Sequence, residues 1–203
     1  MNDSNHPFTM AQQHRIIAIT GGIGAGKSVV SSILRVAGYH VYDCDSRAKQ
    51  LMNTSAAIKQ SLIENFGADV YTGDCIDKPR LSNIIFNDPT ALQLVNSIVH
   101  PAVRLDIEQW AQEQHGQAPL FIETAILKEA SLDTMVDEVW NVTAPIETRI
   151  ERVMRRNATT RSKVIERINS QTPLTGCEGV KLVEIVNDGT TPLLPQVVKA
   201  LSL

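Results

Sequence analysis

The fold of this chain is decided by the stretch Gly21-Gly22-Ile23-Gly24-Ala25-Gly26-Lys27-Ser28. It matches G-x-x-x-x-G-K-[ST], the pattern of loops that bind phosphate through backbone N–H groups. The apolar, β-branched run at residues 16–20 predicts a buried strand before the loop, and apolar residues recur at helical spacing from Val29 to Ala37. A glycine-rich loop between a strand and a helix suits an anion, because unpaired N–H groups and the helix dipole converge there.

Each residue type in this phosphate loop, residues 21–28, has its own task. The glycines let backbone N–H groups converge where a Cβ would intrude. Lys27 is expected to reach the β- and γ-phosphates of a nucleotide, and the Ser28 Oγ is expected to bind Mg²⁺. The predicted nucleotide-binding residues are Gly22, Ile23, Gly24, Ala25, Gly26, Lys27, Ser28 and Val29.

Composition limits the class of protein. Hydrophobic residues make up 43% of the 203 residues and charged residues 20%, which is typical of a chain that buries an ordinary core. The net charge of −3 gives no general attraction to nucleic acids or anionic membranes, and no apolar run approaches a membrane span in length. Cys44, Cys75 and Cys177 form no disulfide or metal-binding pattern. We therefore expect a cytoplasmic protein that acts on small molecules, with residues 1–14 as a flexible extension, and no feature fixes its oligomeric state.

Four further segments predict strands, at residues 40–42, 119–122, 136–142 and 183–186. Helical patterns lie between them, with Pro145 and Pro192 as the first residues of two helices. The pair at residues 100–101, His-Pro, is expected to end one helix and begin another. Strands that alternate with helices predict an α/β fold, in which a five-stranded parallel sheet is covered on both faces.

An arginine-rich run follows the fourth predicted strand, with seven basic residues between residues 147 and 167. Arg149 and Arg152 fit the surface of a solvated helix that carries i,i+4 charge pairs. Arg156 and Arg161 flank a helix break at residues 157–160, which is the arrangement of a lid that closes over nucleotide phosphates. We predict a lid and take Arg156 and Arg161 as its catalytic arginines.

Missing motifs narrow the kind of phosphate-loop protein. The sequence has no N-K-x-D or D-x-x-G motif of GTPases and no L-S-G-G-Q signature of ABC-type ATPases. A small kinase that phosphorylates a metabolite is the economical interpretation, and it needs a base for the acceptor hydroxyl. Asp43 and Asp45 lie at the carboxyl end of the second predicted strand, where open α/β sheets bind ligands. We prefer Asp45 as the base, while either aspartate could instead cap the next helix.

The chain resembles a known family, the dephospho-CoA kinases, from about residue 15 to residue 201. ITGGIGAGKS at residues 19–28 is similar to the family's TGGIGSGKS start. VYDCD at residues 41–45 is similar to its V-x-D-A-D segment, whose second aspartate is taken as the catalytic base and corresponds to Asp45. Shorter similarities are FG at 66–67, the L…F pattern at 81–86, IVHP at 98–101, the lid at 149–171 and NDG at 187–189.

This resemblance implies an enzyme in three parts. The core would comprise residues 15–45 and 116–203 and bind ATP. A helical insertion at residues 46–115 would hold dephospho-CoA, and the lid at residues 157–171 would close over the phosphates. The γ-phosphoryl group of ATP would move to the ribose 3′-hydroxyl of dephospho-CoA, giving CoA and ADP.

The resemblance also implies roles for single residues. Asp45 would accept the hydroxyl proton, Lys27 and Mg²⁺ would neutralise the triphosphate, and the two lid arginines would screen the transferred group. On the adenine side the corresponding residues are Asn187 and Gly189. On the acceptor side they are Asp43, His100, Glu123 and Gln171, although a histidine before proline is also compatible with a purely structural turn.

Some positions depart from the family pattern. ETAILKE at residues 123–129 replaces the usual D-V-P-L-L-x-E, so the acids at each end remain but the proline is lost. Asn157, Lys78 and Val29 stand where aspartate, arginine and threonine are usual. Two other functions therefore stay open: a kinase for another small acceptor, such as a nucleoside monophosphate or shikimate, and a nucleotide-binding protein that has lost catalysis.

Overall fold

The computed structural model describes residues 14–116, 118–172, 174 and 179–203. Within them, a five-stranded parallel sheet has the order β2-β5-β1-β6-β7. Its strands are β1 (Ile16–Thr20), β2 (Val41–Asp43), β5 (Leu120–Glu123), β6 (Glu138–Thr143) and β7 (Lys181–Val186). The predicted α/β fold with a five-stranded parallel sheet is confirmed. The predicted extension at residues 1–14 lies, apart from His14, outside the described residues, as does Cys177.

Helices connect the strands. They are α1 (Lys27–Val36), α2 (Cys44–Thr54), α3 (Ala56–Phe66), α4 (Lys78–Asn87), α5 (Pro89–Gln112), α6 (Ile146–Asn157), α7 (Arg161–Asn169) and α8 (Leu193–Leu201). A two-stranded hairpin of β3 (Tyr71–Thr72) and β4 (Cys75–Ile76) lies between α3 and α4. Among the described helices, none combines the length and the apolar composition that crossing a membrane requires.

The sheet is apolar on both faces because helices cover both. All five residues of β1 are buried, as are the first three of β5. One face packs Ile17 and Ile19 against Leu34 of α1 and Val197 of α8. The other face packs against α2 to α5, the helices between β2 and β5. This burial accounts for the continuous hydrophobic strands of the sequence.

The register of the strands brings their carboxyl ends to one edge. Asp43 of β2 pairs with Glu123 of β5, which in turn pairs with Ile19 of β1. Thr20 pairs with Asn141 of β6. The phosphate loop leaves β1 at this edge. Asp43, Glu123 and Asn141, toward the carboxyl ends of β2, β5 and β6, therefore lie near it.

Helix α5 does not break at Pro101, and that prediction is wrong. The helix runs through Pro101 and buries one continuous stripe that includes Val95, Val99, Val103 and Ile107. A proline inside a helix removes one hydrogen bond and costs about 3 kcal/mol. The stripe on either side of it outweighs this loss, because burying each large apolar side chain stabilises the fold by about 1.5–3 kcal/mol.

Other predicted boundaries move by one or two residues. The second strand is Val41–Asp43, and α2 begins immediately after it, at Cys44. Asp45 therefore lies in the first turn of a helix instead of at a strand end. Pro145 and Pro192 stand one residue before α6 and α8, at the cap position, where their fixed φ and missing N–H are tolerated.

The buried stripe of α5 predicts where a truncation destabilises the protein. Ile107 is 0% exposed, whereas Leu105 on the same helix is 58% exposed. We expect Ile107→Ala to lower the free energy of unfolding in urea by about 2–5 kcal/mol. Leu105→Ala, the matched control, should change it by no more than about 0.5 kcal/mol. Equal losses for the two variants would show that α5 is not held by this face.

Candidate active site

The phosphate loop is enclosed by neighbouring elements, and its glycines are required for this. Gly24 has φ +78° and Gly26 has φ +98°, a left-handed conformation that side chains rarely adopt. A Cβ on Gly24 would lie 2.5 Å from the carbonyl oxygen of Arg149, and one on Gly26 would lie 2.0 Å from the Asn187 Nδ2. Segments far away in sequence therefore press directly on the loop.

Lys27 is at the centre of a cluster of charges. Its Nζ donates to the carbonyl oxygen of Gly21 at 2.9 Å. Burial lowers the pKa of Lys27, the nearby carboxylates of Glu123 and Asp45 oppose this shift, and the nearby Arg156 adds to it. The structure thus brings together four residues that the sequence predicts as site residues, from the first turns of α1 and α2, the end of β5 and the last turn of α6.

The two aspartates after β2 have different roles. Asp43 caps α2, because its carboxylate accepts hydrogen bonds from the backbone N and the Oγ of Ser46, at 3.0 and 2.8 Å. Asp45 is exposed in the first turn of the same helix and has no hydrogen bond or salt bridge within the described residues. Of the two, Asp45 is the carboxylate that is available to a ligand.

His100 lies on α5 and faces the segment that follows β5. Its ring lies close enough to the backbone of Glu129 to affect the pKa of the imidazole. The guanidinium of Arg104, one turn later, donates to the carbonyl oxygen of Ala130 at 2.8 Å. Burial lowers the pKa of His100, and the positive charge of Arg104 lowers it further. His100 therefore supports the segment at residues 123–129, where the sequence departs from the family pattern.

The two predicted lid arginines, Arg156 and Arg161, have different partners. Arg161, the first residue of α7, forms a bidentate ion pair with Glu147 of α6, at 2.7 and 2.8 Å. Arg156 donates from Nε to the Asn157 Oδ1 at 3.1 Å and lies near Lys27. The helices α6 and α7 meet at Ala158, which has φ +47°. Arg156 is thus part of the charged cluster, whereas Arg161 is occupied by Glu147.

Arg149 and Arg152 do not lie on a solvated helix face, so that interpretation is wrong. The Nε of Arg149 donates to the carbonyl oxygen of Ile23 at 2.9 Å. Arg152 donates to the backbone and side-chain oxygens of Asn187, at 2.9 and 3.3 Å. Both arginines are partly buried because α6 packs against the phosphate loop. Spacing along the helix could not reveal this, since the partners are 35 and 126 residues away.

Two of three predicted ligand residues, Asn187 and Gln171, support the loop from outside, and the third, Gly189, lies beside Arg152. Asn187 is buried, and its Nδ2 donates to the carbonyl oxygen of Ala25 at 2.8 Å. Gly189 lies in the turn after β7 with φ +93°, beside Arg152. The Oε1 of Gln171 accepts a hydrogen bond from the backbone N of Ile23 at 2.7 Å. The side chains of Asn187 and Gln171 are thus bonded to the phosphate loop itself.

A cavity of about 400 Å³ adjoins the loop. It lies between the phosphate loop, the segment after β5, the end of β6 and the end of α7. Polar and charged residues that line it include Thr20, Lys128, Glu129, Asn141, Arg149 and Gln171. Its position at the carboxyl edge of the sheet is where open α/β folds bind ligands.

Comparison with known proteins identifies the family. The family model for dephospho-CoA kinase (CoaE) matches residues 15–192. This chain belongs to the dephospho-CoA kinase family. The resemblance seen in the sequence is therefore confirmed.

Curated relatives in the family match this chain over between 76% and 92% of its length. A dephospho-CoA kinase of Bacteroides fragilis is 37% identical over 187 residues, which cover 92% of this chain and 91% of the relative. One of Porphyromonas gingivalis is 41% identical over 155 residues, 76% of each chain. The crystal structure of TT1252 from Thermus thermophilus superposes with a TM-score of 0.75 at 29% identity and covers 93% of this chain and 95% of that one. A dephospho-CoA kinase from Campylobacter jejuni, with a TM-score of 0.65 and 19% identity, covers 92% of this chain and 95% of that one and shares the fold.

The lowered pKa of His100 predicts how stability depends on pH in this family member. Because the folded-state pKa lies below its ordinary value of 6.5, the unfolded chain binds the proton more readily. The contribution of His100 is present above that value and is lost as pH falls through the folded-state pKa. As the pH is lowered from about 7.5 to about 5, the free energy of unfolding in urea should therefore fall less for His100→Gln than for the wild type. His40→Gln, at an exposed histidine, is the control and should follow the wild type.

Proposed function

We propose that this protein transfers the γ-phosphoryl group of ATP to the ribose 3′-hydroxyl of dephospho-CoA, giving CoA and ADP. The observation that carries the proposal is the cluster of Lys27, Asp45, Glu123 and Arg156 at the mouth of the phosphate loop, in a chain of this family. ATP is the co-substrate of such a kinase. The cluster supplies both charges that phosphoryl transfer needs, a cation for the phosphates and a carboxylate for the acceptor.

Asp45 is the proposed general base. It is exposed and without a hydrogen bond or salt bridge within the described part of the chain, so it can accept the proton of an acceptor hydroxyl. Asp43 would act beside it by holding the first turn of α2 through Ser46. Glu123, which pairs in register with Asp43, supports the same acceptor side of the sheet edge.

The residues at the loop fit a magnesium ion that arrives with the nucleotide. Within the described residues, no three His, Cys, Asp or Glu side chains come together as a metal site. Mg²⁺ in kinases is held by few protein ligands together with the substrate phosphates, so a cage of protein ligands is not required. Ser28 is exposed in the first turn of α1 and would be its hydroxyl ligand, with Asp45 and Glu123 close to Lys27. The ion would neutralise charge on the β- and γ-phosphates.

The arginines complete the proposed site. Arg156 is close enough to Lys27 for its charge to lower the pKa of that residue, and it would face the transferred group. Arg161 would join it after leaving Glu147, an exposed ion pair that stabilises little and is easily exchanged for a phosphate. Closure of the lid, residues 157–171, over the phosphates would exclude water and so protect ATP from hydrolysis.

The division of the chain supports the same proposal. We assign residues 15–45 and 116–203 to the ATP-binding core and residues 46–115 to the acceptor-binding insertion, with His100 and Gln171 on the acceptor side. We also propose that the enzyme works in the cytoplasm, where Cys44 and Cys75, which are free thiols, would stay reduced. We propose no nucleic-acid or membrane partner, because the net charge of −3 gives no general attraction to either.

The test of the acceptor is direct. Purified protein with ATP and Mg²⁺ is given dephospho-CoA, a nucleoside monophosphate or shikimate, and each product is identified by mass and by the position of the new phosphate. Of the three acceptors, we expect only dephospho-CoA to be phosphorylated. Its product should be CoA, with the new phosphate on the ribose 3′-oxygen. Phosphorylation of another acceptor in the set, without CoA, would contradict the proposal.

The choice of base has its own test. Asp45→Asn should lower kcat by about 10²–10⁴-fold, the usual effect of losing a positioned general base. Asp43→Asn is the matched control, because asparagine is also a good N-cap and should keep α2 in place. A larger loss of kcat in Asp43→Asn than in Asp45→Asn would transfer the role of base to Asp43.

A further inference from the structure

Ile23, inside the phosphate loop, is held at both of its backbone groups. Its N donates to the Oε1 of Gln171 at 2.7 Å, and its carbonyl oxygen accepts from the Nε of Arg149 at 2.9 Å. Arg149 also approaches the same Oε1 of Gln171, at 3.4 Å. Ile23 therefore forms hydrogen bonds both to α6, through Arg149, and to the end of the lid, through Gln171.

The side chain of Ile23 is attached to the same elements. It packs against a small core formed by Ile150 and Val153 of α6 and Val164 of α7. This core is separate from the two that cover the faces of the sheet. The lid helices and the tip of the phosphate loop thus share one hydrophobic cluster.

The guanidinium of Arg149 fits closely against the loop. A Cβ on Gly22 would lie 2.2 Å from its Nη2, so glycine is required there for Arg149 to take this position. Arg149 lines the cavity beside the loop and is close enough to Lys27 to lower the pKa of that residue. Within the described residues it forms no salt bridge with a carboxylate, so its polar contacts are those to Ile23 and Gln171.

We propose that Arg149 is a positioning residue that, with Gln171, fastens the phosphate loop to the lid through Ile23. We call these three residues the latch. The latch holds the loop in its binding conformation before ATP arrives, so less of the binding free energy is spent on ordering it. The latch also links the conformation of the phosphate loop to the position of the lid. A displacement of α7 that carries Gln171 away releases the N–H of Ile23. The inference rests on the loop binding ATP but does not depend on the acceptor.

The test is the Kd for ATP with Mg²⁺, measured by calorimetry without acceptor, together with kcat and both KM values. Arg149→Gln should raise the Kd for ATP by about tenfold, the usual effect of losing a charged hydrogen bond. Arg149→Lys should recover part of this, since an ammonium can still donate to Ile23. Arg155→Gln is the control, because Arg155 is exposed on the same helix and has no hydrogen bond or salt bridge in the described structure. It should leave the Kd within about twofold of the wild type.

Gln171→Ala keeps the latch testable even if Arg149→Gln does not fold. It should also raise the Kd for ATP, and the double variant should be no worse than the worse single variant, because both act on Ile23. An unchanged Kd for ATP in Gln171→Ala, with only the KM for dephospho-CoA raised, would overturn the latch and leave Gln171 with its proposed acceptor-side role alone. An unchanged Kd in Arg149→Gln would overturn it too. A wild type that binds ATP but does not phosphorylate dephospho-CoA would contradict the proposed function and leave this test intact.

Discussion

The constraint on which this molecule depends is the close enclosure of the phosphate loop by side chains from distant segments. Asn187, after β7, donates to the carbonyl oxygen of Ala25, and Arg152 in turn donates to Asn187. Arg149 and Gln171 hold Ile23. Asn187 and Arg149 thus satisfy backbone carbonyl groups of the loop, and Gln171 accepts the N–H of Ile23. The other N–H groups of the loop are left for an anion. The carboxyl half of the chain thereby shapes a binding loop that belongs to the amino-terminal half.

A second consequence is the division of work between neighbouring acids. Helix α2 starts directly after β2 because Asp43 caps it, and the first turn of that helix then presents Asp45 to solvent. The register of β2 with β5 adds Glu123 to the same edge. Lys27 is half-buried, and the charges of Glu123 and Asp45 oppose the lowering of its pKa by burial. Phosphoryl transfer needs a cation and a base that are held apart but close, and the helix starts that follow β1 and β2 supply that geometry.

The sequence predicts those features that depend on local pattern. The strand, glycine loop and helix at residues 16–36 follow from apolar spacing and glycine, and the parallel sheet follows from the alternation of elements. Prediction failed where tertiary contacts outweigh a local signal. Pro101 is a strong helix breaker, yet α5 continues because the apolar stripe on both sides of it is buried. Arg149 and Arg152 have the spacing of surface residues, and only the packing of α6 against the loop reveals their partners.

The decisive measurement is dephospho-CoA-dependent ADP formation by wild-type protein and by Lys27→Ala, with circular dichroism to confirm that both fold. We expect acceptor-dependent turnover in the wild type and a loss of roughly 10²–10³-fold or more in the variant, because a preorganised charge at the phosphates is removed. Turnover of the folded Lys27→Ala protein at a rate near that of the wild type would contradict this expectation, since the phosphate loop would then not be where the reaction takes place.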